Sequence, residues 1–224
     1  MKEEQCTKEI FLRDVKDHQM TVVLDNGVNR NLIFRNPACY NLWFGITTWE
    51  DYLCIYGDMG DSVFSRNTDM FCFFRMKKND FNYNGDLSIS PGYWHERLKS
   101  ISRFEGDKKF SPKLFEENIK EYFDRLVEDD ELDKQTADAL WEEIDNEILC
   151  QLEDNNEESM YRLVSDFKSE DGYEFNDFWE CNNREYTYHY IWQLYAIVWA
   201  IKQYDSYKTM KTIEEIKEVV GGEV

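Results

Sequence analysis

The chain is poor in the features that announce a metalloprotein, a nucleotide-binding enzyme or a membrane protein. It has only three prolines and three histidines in 224 residues. No two of its six cysteines (Cys6, Cys39, Cys54, Cys72, Cys150 and Cys181) stand at Cys-x-x-Cys spacing, and none neighbours a histidine in a ligand pattern. Structural zinc draws its ligands from such clusters, so no metal is expected, and the cysteines read as reduced, mostly buried thiols of a cytosolic protein. Glycine loops of the Walker or GxGxxG type, which cradle phosphates on backbone N–H groups, are missing. No Ser or Cys occupies a nucleophile elbow, and there is no zincin helix. The opening stretch MKEEQCTKEIFLRD is charged and lacks the apolar core of a signal peptide. The longest apolar run, Tyr190 to Ile201, is about half of what spans a bilayer and contains Gln193. It reads as a central buried helix, so neither a membrane anchor nor a cofactor is expected.

What the chain does have is aromatic bulk and negative charge. Hydrophobic residues make up 42% and aromatics 16%, enough for a sizeable core. The net charge is −20, and it is unevenly spread. Residues 1–112 hold 15 Lys+Arg against 16 Asp+Glu, whereas residues 113–224 hold 11 against 30. Such an asymmetry speaks to partners rather than to fold. The second half should repel nucleic acid and anionic membranes and attract basic surfaces.

The pattern along the chain predicts an α+β protein: a small N-terminal antiparallel sheet packed with helices, then a mainly α-helical acidic C-terminal region. The natural division is 1–110 and 111–224, either as two regions or as one continuous domain. Strands are predicted at 21–24, 32–35, 40–49, 52–56 and 62–65, with Asp25-Asn26-Gly27 and Gly57-Asp58-Met59-Gly60-Asp61 as tight turns. These make a sheet of four or five strands. A helix over 69–76 follows, capped by Asn67 or Thr68, and Ser90-Pro91 and Ser111-Pro112 each look like an N-cap with proline at the first helical position. They predict helices over 91–104 and 112–127. Further helices are predicted at 134–152, 157–168, 174–181, 186–204 and 212–220.

The helix from Pro112 is the clearest. Phe115, Ile119, Tyr122 and Leu126 mark its buried stripe, and Glu117, Glu121, Asp124 and Glu128 follow the same spacing on the opposite face. Asp129, Asp130, Glu131 and Asp133 continue the charge, and the next helix exposes Asp138, Glu142 and Asp145. With Glu116, nine carboxylates fall between 116 and 133. Were that stretch helical throughout, it would carry one charge per roughly 3 Å, comparable with the ~3.4 Å of a single DNA strand. The plainer explanation is a solvated face that keeps the protein soluble.

Candidate chemistry outside the acidic half is thinner. Asp58 and Asp61 flank Gly60 and could hold a hard cation, although Asp and Gly are also what a β-turn demands. Arg66 and Arg75, with Asp69 between them, could form an anion site near a helix start or an ion-pair brace between sheet and helix. His95, within Tyr93-Trp94-His95-Glu96-Arg97, could act as a general base or sit as a partly exposed helix residue. His189, among tyrosines, reads as a hydrogen-bonded core or interface residue. Paired acids such as Glu143/Glu147 and Glu142/Asp145 lack the Glu-x-x-His partners of a di-iron bundle.

The run GDMGDSVFSRNTDMFCFFR from Gly57 to Arg75, followed by Pro91-Gly92-Tyr93-Trp94, resembles an uncharacterised family of tailed-bacteriophage and prophage proteins carrying a "GDMG…VFSR…DMF.FFR…GYW" pattern. The resemblance covers roughly residues 37–130. It implies a phage accessory protein acting in the host bacterial cytoplasm, where many such proteins counter host defence. The expectation is therefore a non-enzymatic inhibitor that binds a basic host protein or nucleic-acid-binding complex, of anti-CRISPR or anti-restriction type, through its acidic faces and without binding nucleic acid itself. The alternatives are a small enzyme or ligand-binding domain using Asp58, Asp61, Arg66, Asp69, Arg75 and His95, and a virion assembly protein.

Overall fold

Alternating apolar residues between Gln19 and Ser65 build five consecutive antiparallel strands: β1 (Gln19–Asn26), β2 (Asn29–Asn36), β3 (Cys39–Trp49), β4 (Tyr52–Gly57) and β5 (Ser62–Ser65). The computed structural model describes residues 5–79, 83, 85–102, 106–128, 133–152 and 156–221, the side chains of 219–221 excepted. Gly27, at φ +62°, closes the β1–β2 hairpin between the paired Asn26 and Asn29, as the turn signal there predicts. A sixth strand, β6 (Leu98–Ile101), pairs with β5 and completes the order β1-β2-β3-β4-β5-β6.

That sixth strand corrects the helix expected over 91–104. Helix α3 begins at Pro91 but stops at His95, and the chain turns so that Ile101 and Ser100 pair with Ser62 and Val63. Without β6, the backbone donors and acceptors of β5 would lie open at the sheet edge. The start signal at Ser90-Pro91 was legible; the stop was set by this long-range pairing.

One face of the sheet buries Leu32, Phe34, Phe44, Ile46, Leu53, Ile55 and Phe64. Three short helices lie in the same core: α1 (Lys8–Val15) through Phe11 and Val15, α2 (Met70–Phe74) through Met70, Phe71 and Phe74, and α3 (Pro91–His95) through Trp94. The α1 helix was not foreseen, although Thr7 caps it by accepting from the Ile10 N–H at 3.3 Å. The deepest element is α7 (Tyr188–Gly221), whose first half supplies Tyr190, Trp192, Leu194, Ala196, Ile197, Ala200 and Ile201. Phe44 stacks on Phe34 at 4.8 Å and meets the edge of Trp192 at 5.5 Å. Burying each phenyl ring contributes roughly 1.5–3 kcal/mol. The two helices expected at 186–204 and 212–220 are one: no Gly or Pro interrupts 205–211, and the Thr209 and Thr212 hydroxyls donate to the carbonyls one turn back, each at 2.9 Å.

The chain divides into two compact units. One comprises everything up to Asp107 together with everything from Tyr186, and the other is the insert Lys108–Glu185. The expected region 111–224 is thus split, because α7 belongs to the core of the first unit. The insert holds β7 (Lys108–Phe110), α4 (Pro112–Glu128), α5 (Lys134–Glu147) and α6 (Glu157–Asp166), with β8 (Arg184–Tyr186) at its end paired to β7. Ser111 caps α4 by accepting from the Leu114 N–H at 3.4 Å, Asp133 caps α5 and Asn156 caps α6. Phe115, Ile119, Leu140, Ile144, Ile148, Met160, Val164 and Phe178 form its core. The helix expected at 174–181 is reduced to a single 3-10 turn, Phe178–Glu180. Among the described residues no helix is long and apolar enough to cross a membrane.

Gln193, the one polar side chain in the apolar run of α7, is 2% exposed. Its amide oxygen accepts from Ser62 and its amide nitrogen donates to the Met59 carbonyl, so it ties α7 to the β4–β5 turn. Replacing it with leucine strands both partners in the interior. Gln193→Leu should therefore lower stability by about 2–4 kcal/mol, read from urea denaturation midpoints at unchanged m-value.

Candidate functional site

The insert concentrates the charge far more sharply than the halves of the sequence suggest. Its 78 residues carry 9 Lys+Arg against 25 Asp+Glu, a net of −16, which leaves −4 for the remainder of the chain. On α4, burial of Phe115 and Ile119 turns Glu117, Glu121, Asp124 and Glu128 to solvent, and all four are exposed. On α5, burial of Ala137, Leu140 and Ile144 does the same for Asp138, Glu142 and Asp145. Asp129, Asp130 and Glu131 lie outside the described residues.

The insert's cations do not cover this surface. Lys113 reaches Glu117 at 3.4 Å and Arg125 pairs with Glu121, both one turn apart on α4. Arg162 pairs with Glu158, Lys168 with Glu174, and Arg184 with Glu157. Exposed pairs of this kind are worth well under ~1 kcal/mol and cancel one charge each. Asp124, Glu128, Asp138, Glu142 and Asp145 have no ion-pair partner among the described residues. From Glu116 to Glu128, α4 places five carboxylates over about 18 Å, or one per about 4 Å at the helical rise. That is sparser than the spacing expected for a helix running on through Asp133, and Asp133 is itself the extended N-cap of α5 rather than part of α4.

The residues of the sheet–helix junction are consumed by the fold. Gly57 sits at φ +143°, and a Cβ there would lie 2.3 Å from the Trp43 carbonyl oxygen. Asp58 follows it, its own N–H donating to that same carbonyl at 3.1 Å, while the Asp61 carbonyl accepts from the Ser102 N–H at 2.7 Å. Both aspartates are exposed turn residues, and no group of three His, Cys, Asp or Glu among the described residues could hold a metal ion. Asp58, Met59, Ser102, His189 and Gln193 line a pocket of about 230 Å³, but the Gln193 amide is already spent on Met59 and Ser62.

Arg66, Asp69 and Arg75 do not form one anion site. Asp69 accepts two hydrogen bonds from Arg30, at 2.9 and 3.0 Å, and a third from the Phe71 N–H, capping α2. Arg30, whose side chain is only 8% exposed, lies over the rings of Phe71 and Tyr204 at 4.6 and 5.3 Å. Arg75 instead makes a two-pronged bond to Asp205 of α7, at 3.0 and 2.6 Å, which raises its pKa further. Arg66 is exposed. His95 pairs with Asp107 beside the rings of Tyr186 and Tyr190. The partners Arg30, Asp205 and Asp107 were not singled out from the sequence, since pairs 39, 130 and 12 residues apart leave no local pattern.

Burial pushes the Asp69 carboxyl up, but the Arg30 and Phe71 hydrogen bonds and the positive charge of Arg30 outweigh it, so its pKa is lowered. Its contribution to stability is therefore present above the unfolded value of about 3.9 and is lost as pH falls through the lower folded value.

No protein-family model, no curated protein and no solved structure matches the chain.

Two substitutions test whether these residues are structural. Asp69→Asn keeps a capping oxygen but removes the charge opposite Arg30, and should cost on the order of 2–3 kcal/mol near neutrality. The loss should shrink below about pH 4, followed by thermal melts across pH. Gly57→Ala should destabilise by about 1–3 kcal/mol, because strand β4 cannot move away from the Trp43 carbonyl without breaking its pairing with β3; calorimetry reads the drop in Tm.

Proposed function

We propose that this chain is a non-catalytic inhibitor that binds a basic, nucleic-acid-binding host protein through the acidic insert 108–185. The observation that carries this function is the segregation of charge: −16 resides on a compact 78-residue unit in which, among the described residues, Asp124 and Glu128 of α4 and Asp138, Glu142 and Asp145 of α5 have no ion-pair partner. A face built only for solubility has no need of such concentration, since the larger unit manages with −4. Like charges gathered on one unit set up a field that steers a cationic partner and suppresses association with nucleic acid. The resemblance to an uncharacterised family of tailed-bacteriophage and prophage proteins suggests the setting, a bacterial cytoplasm, in which interference with host defence is a common task of small phage proteins. At the sheet–helix junction Asp69, Arg75 and His95 are engaged by Arg30, Asp205 and Asp107, which favours a structural role for them over a catalytic one.

Binding of this kind depends steeply on salt, because the contacts are charge pairs near water. The target protein, isolated on the immobilised full chain from phage-infected cells, should lose affinity by tenfold or more between about 50 and 300 mM NaCl. The quadruple variant Glu117→Gln, Glu121→Gln, Asp124→Asn, Glu128→Gln should bind more weakly and with a shallower salt dependence. An affinity unchanged by salt and by these substitutions overturns the proposal, and so does a direct gel shift of DNA or RNA by the chain itself.

A further inference from the structure

A field of carboxylates attracts many cations but discriminates poorly among them. Affinity and choice of partner usually rest on a few aromatic or arginine anchors that lose water on binding. Among the described residues of the insert, one aromatic side chain is exposed. Trp179 is 70% exposed, more than any other tryptophan among the described residues, whereas Phe178 beside it is buried. Phe178 is held among Phe115 at 5.2 Å, Tyr122 at 5.5 Å, Phe175 at 5.7 Å and Tyr161 at 6.3 Å. The preceding residue, Asp177, adopts the left-handed conformation at φ +56°, which costs on the order of 1–3 kcal/mol for a residue with a Cβ. The clamp on Phe178 holds that strained turn in place, and the turn carries the neighbouring indole into water.

The segment that carries Trp179 packs against α4. The Asn118 side chain of α4 donates to the Asn182 carbonyl at 3.3 Å and to the Asn183 side chain at 2.7 Å, and Tyr122 meets Phe178. Positions 118 and 122 of α4 therefore face the 178–183 segment, and Glu121, one turn on from Asn118, borders that side of the helix. Asp177 and Glu180, both exposed, flank the indole in sequence. The same helix already holds a guanidinium over an aromatic ring, with Arg125 lying 5.6 Å from the centre of Tyr122 and paired to Glu121.

Building on the proposed inhibitory role, we infer that Trp179 is the anchor of the partner-binding surface and that it receives an arginine side chain of the basic target. The indole is the best aromatic face for a cation. Arginine suits it better than lysine, because the guanidinium is planar, weakly hydrated and able to stack while its N–H groups reach carboxylates at the rim. Asp177, Glu180 and the α4 acids provide that rim.

The test uses the full chain titrated with nona-arginine and nona-lysine peptides at fixed salt, comparing wild type with Trp179→Ala, Trp179→Phe and the quadruple α4 variant. Wild type should prefer nona-arginine. Trp179→Ala should weaken nona-arginine binding about tenfold, narrow the preference over nona-lysine and leave the salt slope unaltered, because no charge is removed. Trp179→Phe should recover part of the loss, and the α4 variant should lower the slope while keeping the preference. In wild type, the indole N–H resonance that Trp179→Ala deletes should shift on addition of nona-arginine. If Trp179→Ala binds like wild type while the α4 variant is weakened, or if that resonance stays still, the anchor is refuted and the acidic surface stands. If wild type binds neither peptide, both fail.

Discussion

Self-repulsion is the constraint under which the insert exists. Sixteen excess negative charges on 78 residues oppose compaction, and the unit stays folded only because the carboxylates remain in water while an aromatic core holds the helices together. Phe115, Tyr122, Tyr161, Phe175 and Phe178 supply that core with edge-to-face contacts around one ring. Each helix turns its apolar stripe inward toward this cluster, so its acids can only point outward. The polyanionic face is thus a direct consequence of how the unit is stabilised, and the uncovered acids of α4 and α5 are what a cationic partner would meet.

The larger unit solves a different problem. Its sheet has one apolar face of large rings and branched chains, and α7 covers that face with a continuous apolar half from Tyr190 to Ile201. A helix apolar on nearly all sides is stable only when enclosed, and α1, α2 and α3 lie in the same core as the sheet. Several of its polar side chains fasten one element to another: Gln193 to the β4–β5 turn, Arg30 to Asp69, Arg75 to Asp205 and Tyr204 to Asp25. Asp69 and Arg75, which would suggest an anion site in isolation, fasten α2 to the sheet and to α7 through Arg30 and Asp205.

The GDMG run is a corner with exacting backbone geometry. Gly57 is required by its approach to Trp43 and Gly60 by its left-handed backbone at φ +79°. Such a run is held in place by backbone geometry, and it marks the corner on which Gln193 and Ser102 converge.

The sequence by itself determined what depends on near neighbours. The five consecutive strands, the cap at Ser111, the buried stripe of α4 and the outward acids of α4 and α5 all follow from periodicity and local hydrogen bonding, and the α+β class follows from these. Tertiary structure alone decided what depends on distant partners. The end of α3 at His95 required β5 as a mate for β6, and the splitting of the 111–224 region required the sheet that α7 covers. The pairing of Asp69 with Arg30 rather than Arg66 or Arg75, and the exposure of Trp179 beside a buried Phe178, depended on residues brought together from far along the chain. Periodicity records which face of an element is apolar; it carries no record of which other element will come to meet it.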